Sequence, residues 1–150
     1  MLVQLALGSA IIIATVLIGG VGIWALEAAF LSARAWLLRP PHRLRMIVIL
    51  SASALAVVGL FTLGVWVWAL TFHALGIFDS FEPALYFALV CYTTLGFGDI
   101  LLPVEWRLLA GLASANGLLS MGIYTALLVE VVRQVRIIQR AEAPHHQPHR

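Results

Sequence analysis

Residues 93–99 read Thr-Thr-Leu-Gly-Phe-Gly-Asp, and the rest of the chain is organised around this short stretch, which follows an apolar run. Because glycine accepts positive φ angles, Gly96 and Gly98 allow successive backbone carbonyls to turn toward one side. The hydroxyl of Thr94 adds one more oxygen at the end of that column. Four copies of the stretch around an axis can replace the water shell of a dehydrated cation, which one copy cannot do. The simpler alternative is a glycine-containing loop between two helices.

The composition is that of an integral membrane protein. Of the 150 residues, 62% are hydrophobic and 11% are charged, whereas soluble proteins carry about 25% charged residues. A chain of this length forms one domain. The net charge of +2 is too small to indicate nucleic-acid binding, and the single cysteine, Cys91, excludes an intrachain disulfide.

Three long apolar segments predict three transmembrane helices. The first runs from Leu2 to Ala25, within an N-terminal region 1–45, and the others are the outer helix 46–76 and the inner helix 106–133. Each is at least as long as the roughly 20 residues that cross a bilayer core. We expect the first segment to be an anchor and not a cleaved signal peptide, because no positive residue precedes it and its apolar run is too long.

Two arginine clusters predict the topology. The first surrounds Pro40 and Pro41, which end the first helix, and the second follows the third span. Because cytoplasmic loops are enriched in arginine, the clusters agree on an outside N-terminus and a cytoplasmic C-terminus with a polar tail, residues 134–150. The loop position and irregular spacing of the first cluster argue against a voltage sensor. A histidine group in the tail is a weak metal-binding candidate or, more simply, part of a disordered end. The arginines are Arg34, Arg39, Arg43, Arg45, Arg133, Arg136 and Arg140, and the histidines are His145, His146 and His149.

A shorter apolar run between the second and third spans predicts a re-entrant pore helix over residues 80–92. Asp79 is its predicted N-cap, with Glu82 three residues on as in a capping box. The helix should end near Tyr92 with its carbonyls pointing inward, and the partial negative charge of that end favours a cation. Non-helical backbone at membrane depth is tolerated only inside protein or along a water-filled path. Residues 93–99 therefore lie where an ion pathway would need them.

Three motifs resemble those of potassium channels. The Thr-Thr-Leu-Gly-Phe-Gly-Asp stretch, hereafter the filter segment, is similar to their selectivity filter, usually Thr-Val-Gly-Tyr-Gly-Asp, and its Phe is similar to second filters of two-pore-domain channels. Residues 103–108, Pro-Val-Glu-Trp-Arg-Leu, resemble the Pro-Val-x-x-Trp-x-Arg-Leu that opens the inner helix in simple bacterial members. Residues 116–122, Asn-Gly-Leu-Leu-Ser-Met-Gly, resemble Ala-Gly-x-x-Ser-Phe-Gly around the hinge glycine. The resemblance covers residues 46–133 and leaves the N-terminal span as an addition.

The resemblance implies a role for each residue of the filter segment. The carbonyls of residues 94–97 and the Thr94 hydroxyl would bind K⁺, and Phe97 would pack outward against the pore helix. Gly117 would be the gating hinge of the inner helix, with close helix packing as an equally weighted alternative. The residues of the filter and its ion sites would be Thr93, Thr94, Leu95, Gly96, Phe97 and Gly98.

Two departures from the family pattern concern the support of the filter. Many bacterial members carry a pore-helix glutamate that pairs with the aspartate after the filter, but the matching residue here is Val90. We expect Tyr86, one turn earlier, to donate its hydroxyl to Asp99 instead. Phe97 lacks the tyrosine hydroxyl that normally anchors the filter, which predicts a less rigid filter.

Two polar residues on the third span are pore-mouth candidates. Glu130 either forms an i,i+3 ion pair with Arg133 or contributes to a ring of four carboxylates that concentrates cations. Asn116 either faces a water-filled cavity or hydrogen-bonds to a neighbouring helix, and the second reading is slightly favoured.

The sequence thus predicts an all-α membrane protein with three transmembrane helices, a re-entrant pore helix and an extended filter, assembled as a homotetramer in the lipid bilayer. The expected function is passive potassium-selective conduction in the plasma membrane of a prokaryotic cell. K⁺ would be the permeant ion, without a cofactor, small-molecule substrate or nucleic acid. No arrangement of catalytic residues is recognisable, so the sequence does not indicate an enzyme. The alternatives are a weakly selective cation channel and a non-conducting scaffold or channel-modifying subunit.

Overall fold

The computed structural model describes residues 1–37 and 42–141, and within them the chain is built from helices without any strand. Three helical stretches are long and apolar enough to cross a membrane, over Leu2–Ser32, Leu44–Ala74 and Val104–Ile137. The chain is therefore an all-α membrane protein, as the sequence predicts. The elements in chain order are α1 (Leu2–Leu37), α2 (His42–Ala74), α3 (Phe81–Tyr92), a 3₁₀ turn (Val104–Trp106) and α4 (Arg107–Ala141).

The end of α2 is set by a glycine. The Gly76 amide donates to the His73 carbonyl at 3.0 Å, and Gly76 adopts a φ of +67°. The Ile77 amide donates to the Phe72 carbonyl at 3.2 Å. These two bonds form a Schellman motif, which satisfies carbonyls that the helix end would otherwise leave unpaired. The helix stops at Ala74, slightly before residue 76, where the sequence predicts its end.

The start of α3 differs from the prediction in its cap. Ser80 occupies the N-cap position with extended backbone, and no side chain caps the helix. The prediction that Asp79 is the N-cap is therefore wrong. Glu82 lies in the first turn, where a carboxylate interacts favourably with the positive end of the helix dipole. The helix ends at Tyr92, as predicted.

The first and last helices of the chain are longer than the hydrophobic pattern predicts. α1 continues to Leu37, and α4 continues to Ala141, so residues 134–141 are helical although they were predicted as the start of the polar tail. A span prediction follows hydropathy, whereas a helix can extend into water beyond the membrane. The rest of the tail with its histidines, the Pro40-Pro41 break, and the side chains of Arg34, Arg39, Arg43 and Arg140 lie outside the described residues.

The core of the molecule holds α3 between α2 and α4. Phe72 of α2 and Phe87 of α3 meet edge to face, with ring centroids 5.3 Å apart. Small residues on the facing surfaces let the helix backbones approach closely, which is how helices associate without a hydrophobic driving force from water. The fully buried small residues are Ala69, Ala84, Ala88 and Ala113. This packing fixes the position of the α3 carboxyl end and of the filter segment that follows it.

The additional helix α1 packs along α4, and its contacts are polar at two levels. The amide of Leu108 donates to Gln4 Oε1 at 3.1 Å, and Asn116 Nδ2 donates to Thr15 Oγ1 at 2.7 Å. Both sets of residue numbers increase in the same direction, so α1 and α4 run parallel. The amino end of α1 therefore lies at the same end of the molecule as the filter segment, hereafter the filter end.

Candidate functional site

The backbone of the filter segment alternates between left-handed and other conformations. Thr94, Gly96 and Gly98 adopt positive φ angles of 60°, 57° and 75°, whereas Leu95 and Phe97 do not. In an ordinary extended strand, successive carbonyls point to opposite sides. Reversing the sign of φ at every second residue turns alternate peptide groups over, and this allows the carbonyls to line one side. Glycine adopts this geometry without steric cost.

The amides of the segment are bound to the carboxyl end of α3. The Thr94 amide donates to the Cys91 carbonyl at 2.9 Å. The amides of Leu95 and Gly96 both donate to the Val90 carbonyl, at 3.0 and 3.2 Å. Helix ends leave such carbonyls without intrahelical partners. Within residues 1–37 and 42–141, no backbone amide donates to the carbonyls of residues 94–98, so these oxygens remain available for a ligand.

Thr93 differs from the residues after it. It is the C-cap of α3, with helical backbone angles, and its amide donates to the Leu89 carbonyl at 3.0 Å. Its hydroxyl donates to the same carbonyl at 2.8 Å. Thr93 therefore completes the helix, and the prediction that it belongs to the ion-binding column does not fit this position. The column begins at Thr94, whose side chain is exposed.

The apolar side chains of the segment have no cover within the single chain. Phe97 is 65% exposed and Leu95 is 57% exposed. The packing of Phe97 against a pore helix, which the resemblance implies, therefore stays a prediction that requires a neighbouring copy. Exposed apolar side chains beside a polar backbone column are typical of a surface that another protein covers.

The contact expected between Tyr86 and Asp99 is present. The Tyr86 hydroxyl donates to Asp99 Oδ2 at 2.6 Å, a short distance that is typical of a hydrogen bond to a charged acceptor. This hydrogen bond to the carboxylate is the largest cause that raises the pKa of Tyr86 above its ordinary value. The bond joins α3 to the residue that directly follows the filter segment.

Tyr92 anchors the carboxyl end of α3 between the two long helices, a role that the sequence reading missed. Its ring is fully buried and meets Phe61 of α2 edge to face, with centroids 4.9 Å apart. Its hydroxyl lies 2.8 Å from the Ser120 hydroxyl of α4 and against Gly64 of α2, where a Cβ would collide with it. A buried tyrosine needs a polar partner for its hydroxyl, and Ser120, within the quoted motif, was the available signal.

Gly117 lies against the backbone of Tyr92. A Cβ at Gly117 would collide with the Tyr92 carbonyl. Backbone cannot move aside as the end of a flexible side chain can. The close-packing interpretation of Gly117 is therefore supported by a direct contact, and its role as a hinge stays a prediction.

The two pore-mouth candidates differ in their contacts. Asn116 is 1% exposed and donates to Thr15 of α1, so the pore-mouth prediction for it does not fit its buried position. Glu130 forms the predicted ion pair, with Glu130 Oε2 2.8 Å from Arg133 Nε. Gln134 Nε2 also donates to the Glu130 carboxylate, at 2.7 Å. Glu130 lines a cavity between α1, α2 and α4, which does not favour a carboxylate ring around a central axis.

One comparison with known proteins gives a match. A family model described as "Ion channel" matches residues 56–134, which is more than half of the chain. The matched region begins within α2, contains α3 and the filter segment, and ends within α4. No curated protein and no solved structure gives a significant match.

Proposed function

The chain belongs to the ion channel family, and we propose that it is a potassium-selective channel whose filter is built from the filter segments of four copies. The observation that carries this proposal is that the backbone amides and the backbone carbonyls of the segment are used differently. Its amides donate to the α3 carboxyl end, while the carbonyls of residues 94–98 accept no backbone hydrogen bond within residues 1–37 and 42–141. Oxygens left free in this way can replace the hydration shell of a cation.

In the proposed filter, the carbonyls of Thr94, Leu95, Gly96 and Phe97 provide the oxygen ligands. The Thr94 hydroxyl supplies a further ligand at the inner end of the column. Each α3 points its carboxyl end toward the same axis, and the partial negative charge of that end stabilises a cation there. K⁺ passes down its electrochemical gradient through these sites, and no bond is made or broken.

Fourfold assembly is part of the same proposal. One chain supplies one column of oxygens, which covers only one side of an ion. The exposed side chains of Leu95 and Phe97 provide an apolar surface that a neighbouring copy would cover. The proposed assembly is therefore a homotetramer in which the filter and its apolar surround form together.

The proposed orientation places the filter end outside the cell. The parallel contacts of α1 and α4 put the amino end of α1 at the filter end. Arg133 and Arg136 lie toward the opposite end of α4, which suits the cytoplasmic side under the positive-inside rule. We propose the plasma membrane as the location on this basis.

The test is ion flux through the purified protein in liposomes. We expect K⁺ flux well above Na⁺ flux, and we expect Gly96→Ala to abolish it, because Gly96 adopts a φ of +57° that alanine accommodates poorly. The matched control is Gly111→Ala, since a Cβ there has nothing within 4 Å and flux should be retained. Equal K⁺ and Na⁺ flux would indicate a weakly selective cation channel. Absence of flux from the unmodified protein would favour a scaffold or channel-modifying subunit.

A further inference from the structure

A cavity of about 470 Å³ lies between the ends of α1, α2 and α4 that are remote from the filter segment. Its volume falls within the roughly 300–1,000 Å³ that is usual for small-molecule sites. All three long helices contribute to its wall, which is mostly apolar. Apolar lining residues include Ile23, Leu26 and Phe30 of α1, Ile49 of α2, and Leu127 and Val131 of α4.

The charged side chains in the cavity wall are all acidic. Glu27 of α1 and Glu130 of α4 line the cavity, and no lysine, arginine or histidine does so among the described residues. Glu130 is compensated by its ion pair with Arg133. Glu27 is exposed, has no hydrogen bond or ion pair with any other described residue, and lies just past the apolar segment Leu2 to Ala25.

We propose that this cavity binds a cationic amphiphile, with an ammonium headgroup beside Glu27 and an alkyl tail against the apolar wall. Charge complementarity selects this occupant, because the Glu27 carboxylate attracts a cationic headgroup and disfavours an anionic one. Glu27 is exposed and lines the cavity, so its carboxylate is accessible to an ammonium headgroup while the tail lies against the apolar wall. The proposal thus accounts for both the apolar wall and the Glu27 carboxylate, which has no partner among the described residues.

Occupancy of the cavity connects α4 to the two helices that pack against it. Because Glu130 and Val131 belong to the final part of α4, a bound amphiphile would hold that part of the helix in place. We expect such a ligand to change channel opening. This regulatory step rests on the proposed function, whereas the binding step does not.

Binding is tested by native mass spectrometry of the protein from phosphatidylcholine nanodiscs equilibrated with dodecyltrimethylammonium or dodecyl sulfate. The two probes share one tail length and differ in headgroup charge. We expect saturable binding of one cation per chain, about threefold tighter than binding of the anion, since an ion pair at an exposed carboxylate is worth roughly a factor of two to five. Equal binding of the two probes would overturn the proposal and leave only an apolar groove.

Two pairs of variants separate the headgroup from the tail. Glu27→Gln should weaken cation binding about threefold, while Glu105→Gln, in the 3₁₀ turn at the filter end, should not change it. Ala52→Phe should block the cavity, because Ala52 lines it and is exposed, whereas the exposed Ala54 does not line it and Ala54→Phe should be silent. Unchanged cation binding by Glu27→Gln, with the protein folded, would overturn the proposed headgroup site.

The regulatory step is tested separately, by adding dodecyltrimethylammonium to the liposome flux measurement. A change in K⁺ flux that Glu27→Gln removes would support it, and an unchanged flux despite measured binding would overturn it. If the unmodified protein conducts no K⁺ at all, the proposed function fails, but the mass spectrometry result still decides the binding site. The two proposals can therefore fail independently.

Discussion

Thr94 has a strained backbone conformation and also supplies oxygen ligands in the proposed filter. It is the only non-glycine residue with a positive φ among residues 1–37 and 42–141, and this conformation costs an L-residue roughly 1–2 kcal/mol. Such strain persists where surrounding bonds determine the backbone, here the Thr94 amide bond to Cys91. The two glycines of the segment were predictable from sequence. The φ of Thr94 was not, because a β-branched residue ordinarily disfavours that region.

We expect the open state of the filter to depend on the hydrogen bond that the Tyr86 hydroxyl donates to Asp99. Tyr86→Phe removes the only donor that this side chain offers to Asp99, so we expect open-state lifetimes in single-channel recordings to shorten several-fold. The raised pKa of Tyr86 means that the contribution of the bond is complete below the ordinary tyrosine pKa of about 10 and is lost as pH rises further. Open lifetimes should therefore be insensitive to pH from 6 to 8 as far as this group is concerned.

The control for Tyr86 is a double-mutant cycle with Asp99→Asn. If the two residues act through their hydrogen bond, the double variant should behave almost like either single variant. Open lifetimes that are unchanged in Tyr86→Phe would remove Tyr86 from the support of the filter.

Gly117→Ala distinguishes the two interpretations of that glycine. Close packing against the Tyr92 carbonyl predicts a stability loss of about 1–3 kcal/mol, typical of an overpacked site, measured as a lower unfolding temperature in detergent. Gly122→Ala is the control, since a Cβ there has nothing within 4 Å. A hinge role alone predicts unchanged stability with altered opening, and that outcome would contradict the packing interpretation.

Among the elements, α1 shows most clearly what hydropathy alone leaves undetermined. Its existence and approximate start were predictable, because a long apolar run crosses a bilayer. The orientation of Asn116 toward α1 was left open between two readings, because one helix sequence does not show which face meets which neighbour. The structure joins Asn116 to Thr15 in the first half of both helices. The additional span is thereby bonded to α4 next to Gly117.

Thr15→Val tests this connection. It removes the acceptor of the Asn116 amide and leaves a buried polar group unpaired, since Asn116 Oδ1 already lacks a partner among the described residues. Interhelical hydrogen bonds in membranes contribute about 0.6–2 kcal/mol, so we expect a loss of roughly 1 kcal/mol in stability in detergent and a shifted open probability. Thr15→Ser keeps the hydroxyl and should behave like the unmodified protein. Equal behaviour of the valine and serine variants would show that the bond is not needed.

For the whole molecule, the sequence predicted the span, short helix, filter and span order because each part has its own length and composition signal. The exposure of the apolar side chains around the filter segment was not predictable, because it depends on which surfaces the other helices of the same chain cover. Trp68 and Phe72 are fully buried within one chain, whereas Leu95 and Phe97 are exposed. A packed core beside an uncovered filter segment is what the proposed association of copies would require.

Phe97→Ala is the corresponding prediction for assembly. If a neighbouring copy covers Phe97, truncation should weaken the oligomer by roughly 2 kcal/mol per protomer, the usual contribution of burying such a side chain. The measurement is the temperature at which the oligomer dissociates on gel filtration or mild electrophoresis. Leu55→Ala is the control, because Leu55 is 72% exposed on the membrane span of α2 and should only face lipid. Equal effects of the two substitutions would argue against an interface at Phe97.

The Val90 carbonyl accepts hydrogen bonds from the amides of both Leu95 and Gly96. This has a consequence for the shape of the proposed filter in the interval between two ions. A loop whose backbone conformation depended only on a bound ion would change conformation each time the ion left. Here the hydrogen bonds to α3 hold the backbone of the segment in its bent conformation. In the proposed filter, an empty ion site would therefore keep its shape, and the next ion would bind with little reorganisation. In the proposed tetramer, each chain would thus supply one quarter of the filter with its backbone already bent.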